Sequence, residues 1–151
     1  NGVEPVYVSQ GDQMRLGETK LKVVAPKAGV SEENLNVASM ILKLEYGKSS
    51  YLFTGDAELE QTQPLKDIDV DILKVPHHGS ANGMSRELLG KTTPEYAVIS
   101  VGLNNRYGHP SEETLSMMEQ ADAKVYRTDL DGTVKITSTK DGIHKVTVSK
   151  R

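Results

Sequence analysis

Leu73-Lys74-Val75-Pro76-His77-His78-Gly79-Ser80, the stretch LKVPHHGS, sets two adjacent histidines at the end of an apolar run. The run itself, VDILKV from residue 70, is short, apolar and closed by a proline, which predicts a buried strand. Two other predicted strands end in polar clusters. YLFTGD ends on Asp56, and YAVISVGLNNRYGHP carries His109 beyond a strand at 96–101. In α/β sheets the loops at the carboxyl ends of strands are where ligands bind, so three such clusters are expected to meet at one site. Glycine beside each tip lets backbone or ligand approach closely.

Outward from that centre the periods are readable. Met40, Leu42, Leu44 and Tyr46 alternate with Lys43 and Glu45, and GKSSYLF follows a glycine turn, so residues 38–54 predict a β-hairpin. MSRELLGK predicts a short helix capped by Ser85. PSEETLSMMEQA predicts a longer one, with Pro110 at its first position and Glu112 and Glu113 in its first turn. Strands are expected at 124–128, 132–138 and 143–149, the last two joined by a turn at Asp141-Gly142. PVYV near the start and LKVVA further on also read as strand. With no internal repeat or linker, residues 1–151 form a single α/β domain.

Composition bounds the chemistry. The 151 residues contain no cysteine, which excludes disulfides and thiolate metal sites and leaves His, Asp and Glu as ligands. A formal charge of −3 gives no overall basic footprint, so recognition of a polyanion has to be local. No apolar stretch approaches the roughly 20 residues that span a bilayer, and the first residues have no signal-peptide pattern. A start at Asn1 running directly into PVYV suggests a piece of a longer protein.

Each polar residue has a plain structural role open to it. Asp56 is either a ligand or the N-cap of a helix through AELEQTQ, and His77 and His78 are either ligands or turn residues after Pro76. His109 is either a site residue or a helix cap. His144 is expected to face solvent on the final hairpin. Ser80, Asn82, Asn104 and Asn105 are ordinary turn formers.

The blocks LFTGDAE, DILKVPHHGS, YAVISVGLNNRYGHP and KVYRTDLDGTV, in this order and spacing, resemble the metallo-β-lactamase-like domain of the ComEC family of bacterial DNA-uptake channel proteins and their soluble relatives. The likeness extends through LGETKLKVVAP and NVASMILKLEYG. It implies an αββα sandwich of which this chain is the C-terminal half only, a mixed β-sheet with flanking helices. The superfamily's principal motif, His-x-His-x-Asp-His, is expected upstream, since the chain has no histidine before His77.

By the same resemblance, Asp56 and His78 are metal ligands, with His77 a neighbour or second candidate. The residues NVAS at 36–39 stand where many superfamily members carry a further histidine, which implies a weakly held second metal. The implied cofactor is a divalent metal, Zn²⁺ or Mn²⁺, in the complete domain, with none necessarily held by this chain alone. Such a metal lowers the pKa of a bound water from about 15.7 to roughly 7. His109 is then a general acid or phosphate contact, with Asn105 and Ser80 as hydrogen-bonding partners. The implied substrate is DNA or another phosphodiester. The missing N-terminal half of the domain and a membrane channel are the implied partners, on the extracellular or cell-surface side of a bacterial membrane. An uncovered sheet face would drive self-association unless PVYV and LKVVA fold over it. The alternative is a non-catalytic nucleic-acid- or partner-binding module, or a structural half-domain with no activity of its own.

Overall fold

The computed structural model describes residues 2, 4–30 and 36–150. Seven strands lie in one mixed sheet in sequence order: β1 (Gln13–Leu16), β2 (Thr19–Ala25), β3 (Ile41–Tyr46), β4 (Ser49–Phe53), β5 (Ile72–Lys74), β6 (Tyr96–Ile99) and β7 (Lys124–Arg127). The first four pair antiparallel, with tight turns between β1 and β2 and between β3 and β4, and β4 to β7 run parallel. Parallel neighbours need crossovers, which are made by α1 (Leu59–Thr62), α2 (Arg86–Thr92) and α3 (Glu112–Gln120). A single helical turn, α4 (Thr128–Asp131), leads to the hairpin β8 (Val134–Ser138) and β9 (His144–Val148). The expected hairpin at 38–54 is therefore β3–β4, and the strand expected at 124–128 ends one residue early, at Arg127, with α4 beginning at Thr128.

Cross-strand partners share a face, so register shows where the core lies. Leu52, Leu73, Ala97 and Val125 form one row across β4 to β7. The first three are fully buried and join Ile68, Met84, Leu88, Met117 and Met118 in one core under the helices. Each fully buried leucine contributes about 1.5–3 kcal/mol. The opposite face carries Tyr51, Ile72 and Tyr96 in one row and Phe53, Lys74 and Val98 in the next. The β8–β9 hairpin lies over part of this second face, where Val134 and Ile136 share a cleft of about 280 Å³ with Tyr51, Phe53, Lys74 and Val98. Leu21, Leu42 and Leu44 beside them are half-buried, and Phe53 is 41% exposed.

That arrangement corrects the expected cover. LKVVA is the body of β2 inside the main sheet, while PVYV at 5–8 forms no strand and leaves Val6 and Tyr7 exposed. The cover comes from the C-terminal hairpin, because β8 and β9 each bury one alternating face. His144 is the second correction. Its side chain is only 2% exposed, on the same inward face as Val146 and Val148, with its ring edge-on to Tyr96. Nδ1 lies 2.6 Å from Ser138 Oγ, which in turn touches the Tyr51 hydroxyl, and Nε2 lies 3.8 Å from Asp71.

Caps follow sequence with one shift. Ser85 Oγ accepts from Leu88 N–H at 3.1 Å, as expected. The cap of α3 is Ser111, accepting from Thr114 N–H at 3.1 Å, so Pro110 precedes the helix cap and is not its first residue. Glu112 and Glu113 keep their place in the first turn. Among the described residues no helix is long and apolar enough to cross a membrane.

Candidate metal centre

Strands β4, β5 and β6 run parallel and in register, so their carboxyl ends lie along one sheet edge. Three loops leave that edge and bring together the residues singled out in sequence. Thr54, fully buried, donates its hydroxyl to the Lys74 carbonyl at 2.7 Å, and His77 N–H donates to the Gly55 carbonyl at 3.2 Å. Lys74 Nζ donates to the carbonyls of Gly55 and Val75 at 2.9 and 3.2 Å. Burial pushes its ammonium pKa down, and the charge of Asp56 opposes that.

Asp56 is not a helix cap: the N-cap of α1 is Glu58, whose N–H is met by the Gln61 side chain at 2.9 Å. Its backbone N–H is held by Ser39 Oγ at 3.2 Å. Its carboxylate is therefore free of a capping role and faces His78, Oδ1 to Nε2, at 3.5 Å. His78 Nδ1 lies 2.7 Å from the Ser100 carbonyl. A carbonyl only accepts, so Nδ1 carries the proton, and in the neutral ring Nε2 presents its lone pair toward Asp56. Two electron-pair donors facing one another are stabilised by a cation between them. A ligating histidine anchored through its other nitrogen is the usual arrangement at metal sites.

The backbone here is held in an unusual state. His77 (φ 46°) and His78 (φ 56°) are both left-handed, a conformation that disfavours side chains with a Cβ. Each such residue costs on the order of 1–3 kcal/mol and is characteristic of functional sites. The next residue, Gly79, has φ 80° and packs so closely that an added Cβ would lie 2.7 Å from Pro110 Cβ. The Gly79 carbonyl accepts from Ser111 N–H at 3.0 Å, joining the histidine loop to the start of α3.

His77 is oriented differently. Its Nδ1 is buried with no hydrogen-bond partner and stands 3.6 Å from Glu58 Oε1, which accepts from Asn36 Nδ2 at 2.8 Å. Its ring meets His78 and His109 edge-on, with centroids 6.2 and 5.9 Å apart. Burial first, then the neighbouring His77 and His78, hold the His109 pKa below the ordinary imidazole range. His109 is thus neutral at pH 7. Asn105 bonds the His109 backbone, accepting from its N–H at 2.9 Å and donating to its carbonyl at 2.7 Å. Ser80 is 5% exposed and its hydroxyl accepts from Gly83 N–H at 3.1 Å, inside the turn.

Sequence reading passed over Glu58, Lys74 and the supporting roles of Asn36 and Ser39. A lysine inside the apolar run DILKVP was a usable signal, as was a glutamate two residues beyond Asp56. The model of the metallo-β-lactamase superfamily matches residues 18–102, which include Asp56, His77 and His78. The chain belongs to the metallo-β-lactamase superfamily. Within it, the chain is 35% identical over 138 residues to ComE operon protein 3 of Bacillus subtilis (strain 168), covering 89% of this chain and 18% of that protein. It is 31% identical over 113 residues to Competence protein ComA of Neisseria gonorrhoeae, covering 72% and 16%. Recombination protein 2 of Haemophilus influenzae is 32% identical over 108 residues, covering 70% and 14%. The chain thus spans less than a fifth of the length of these curated relatives.

Members of the superfamily commonly bind divalent metals. Among the described residues no cluster of three or more ligating side chains is present. Asp56 and His78 supply two donors of the right chemistry, one carboxylate and one imidazole, where catalytic zinc sites typically use three protein ligands.

Proposed function

We propose that this chain is the C-terminal part of a metal-dependent hydrolase domain acting on phosphodiesters, with DNA as the substrate. The observation that carries the reading is the pair Asp56 and His78, two donors 3.5 Å apart with the imidazole fixed by Ser100. Asp56 and His78 would hold the metal, Zn²⁺ or Mn²⁺, together with ligands of a His-x-His-x-Asp-His segment elsewhere in the parent protein. When bound, such a cation supplies Lewis acidity at a phosphoryl oxygen and an acidified water.

The chain's own residues do the positioning. Lys74 bridges the loops bearing Asp56 and His77 through their carbonyls, and the Glu58 carboxylate stands 3.6 Å from His77 Nδ1. Asn105 fixes the backbone of His109. Neutral at pH 7, the His109 ring can donate one hydrogen bond to a phosphate oxygen, and acts there as a contact more readily than as a general acid.

The strip of half-buried Leu21, Leu42 and Leu44 with exposed Phe53 supports the half-domain reading: a second sheet from the missing N-terminal half would cover it. In the isolated chain the same strip favours self-association. The relatives, a competence protein and a recombination protein among them, support DNA as the substrate. By that analogy the domain works beside a membrane channel on the outer side of a bacterial membrane.

The test is made on the complete domain, with the upstream segment restored. Bound metal and cleavage of a DNA strand are measured together, with and without chelator. The reading expects chelator-sensitive cleavage that Asp56→Ala and His78→Ala abolish along with the metal. Full metal loading without any cleavage would instead favour a non-catalytic binding module.

A further inference from the structure

Between β6 and α3 the loop 102–108 carries an aromatic ring that the fold does not use. Tyr107 is 84% exposed, yet its ring lies nearly parallel to that of His109, with centroids 6.0 Å apart and planes 17° apart. Leu103 on the same loop is 56% exposed. Arg106 is exposed and makes no side-chain hydrogen bond or ion pair with another described residue. The loop is nonetheless built firmly: Asn105 N–H and Nδ2 each donate to the Gly102 carbonyl at 3.3 Å, and Asn105 also clamps His109.

An apolar ring held open to water on a fixed loop gains nothing from folding. It offers a flat π surface beside the site, with a guanidinium on the adjacent residue. That pair matches the two parts of a nucleotide: a base that stacks on an aromatic face and a phosphate that takes a positive charge. In a duplex both faces of each base are already stacked on neighbours, so such a platform selects an unpaired base.

We propose that Tyr107 is a base-stacking platform and Arg106 a phosphate contact, so that the loop 102–108 receives a nucleotide of a single strand next to His109. This rests on the phosphodiester reading above and narrows its substrate to single-stranded nucleic acid.

Binding is measured in EDTA, so that no metal is involved, by the anisotropy of a labelled oligothymidylate of about twelve nucleotides, a length within the range one such binding site covers. An abasic strand of the same length is the comparison. The chain should bind oligothymidylate more tightly than the abasic strand. Tyr107→Ala should weaken oligothymidylate binding by about 10- to 100-fold and erase that difference, while Tyr107→Phe retains it. Arg106→Gln should weaken both strands alike and reduce the log–log salt slope by about 0.7. The chain has no tryptophan, so Tyr107→Trp introduces a single indole whose emission oligothymidylate should quench and the abasic strand should not. Melting curves matching the parent confirm that these exposed substitutions leave the fold intact.

Equal affinity for the two strands, or unchanged affinity in Tyr107→Ala, overturns the stacking role. Either result leaves the hydrolase reading to its own cleavage assay. Preference for a blunt duplex, or binding only to anionic vesicles, likewise overturns it.

Discussion

Nε2 of His78 stands 3.5 Å from Oδ1 of Asp56, while its Nδ1 is fixed 2.7 Å from the carbonyl of Ser100. Two preoriented donors bind a divalent cation, but two ligands fall short of the three or four that make a tight site. The isolated chain should therefore retain less than one equivalent of Zn²⁺ or Mn²⁺ through dialysis. Residual uptake in a calorimetric titration should vanish in Asp56→Ala and His78→Ala. One tightly held metal per chain by elemental analysis would contradict this.

Asn105 makes two hydrogen bonds to the backbone of His109 at once. Asn105→Ala should cost about 1–2 kcal/mol in urea unfolding. Asn105→Asp should be at least as damaging at neutral pH, because it turns a second acceptor toward the His109 carbonyl. A neutral effect of Asn105→Asp would show that the clamp contributes nothing.

His144, with Ser138, Tyr51 and Asp71 around it, joins the β8–β9 hairpin to the outer face of the sheet. His144→Ala opens a hole and leaves the Ser138 hydroxyl with Tyr51 as its one remaining partner, and should lose about 2–3 kcal/mol. Exposed Lys145 beside it should tolerate alanine within about 0.5 kcal/mol. Limited proteolysis should release the hairpin faster in His144→Ala. Equal cleavage of variant and parent would mean that the histidine does not hold the hairpin down.

The pH dependence of stability should show a contribution from Asp129. Arg127 donates to both its carboxylate oxygens, at 3.1 and 2.6 Å, and that hydrogen bonding holds its pKa below the ordinary carboxylate range. A lowered carboxylate pKa means the unfolded chain takes up the proton first as pH falls. The stabilisation is therefore complete above the unfolded value of about 3.9 and is lost below it as pH falls through the folded pKa. Asp129→Asn should be less stable than the parent at pH 7 and converge with it in strong acid. A gap in urea midpoints that stays constant from neutral pH into acid would rule this out.

Local pattern was enough for much of the chain. Alternation through Met40, Leu42, Leu44 and Tyr46 marks β3 because side chains on a strand repeat every two residues. Ser85 was legible as a cap because capping joins residues three apart in sequence. The convergence of Asp56, His77, His78 and His109 was legible for a less local reason. Parallel strands in register place all their carboxyl ends on one edge.

The same period of two set His144 on a face with Val146 and Val148, but alternation carries no label for which face is inside. That depended on a sheet contributed by Tyr51, Asp71 and Tyr96, dozens of residues away, against which the hairpin docks. Likewise, HHGS presents two equivalent histidines on paper. Only the folded chain brings the Ser100 carbonyl to one ring and Glu58 to the other, and so determines which nitrogen of His78 is left facing Asp56. Hydrogen bonding at this range is a property of distances in space, which sequence spacing does not encode.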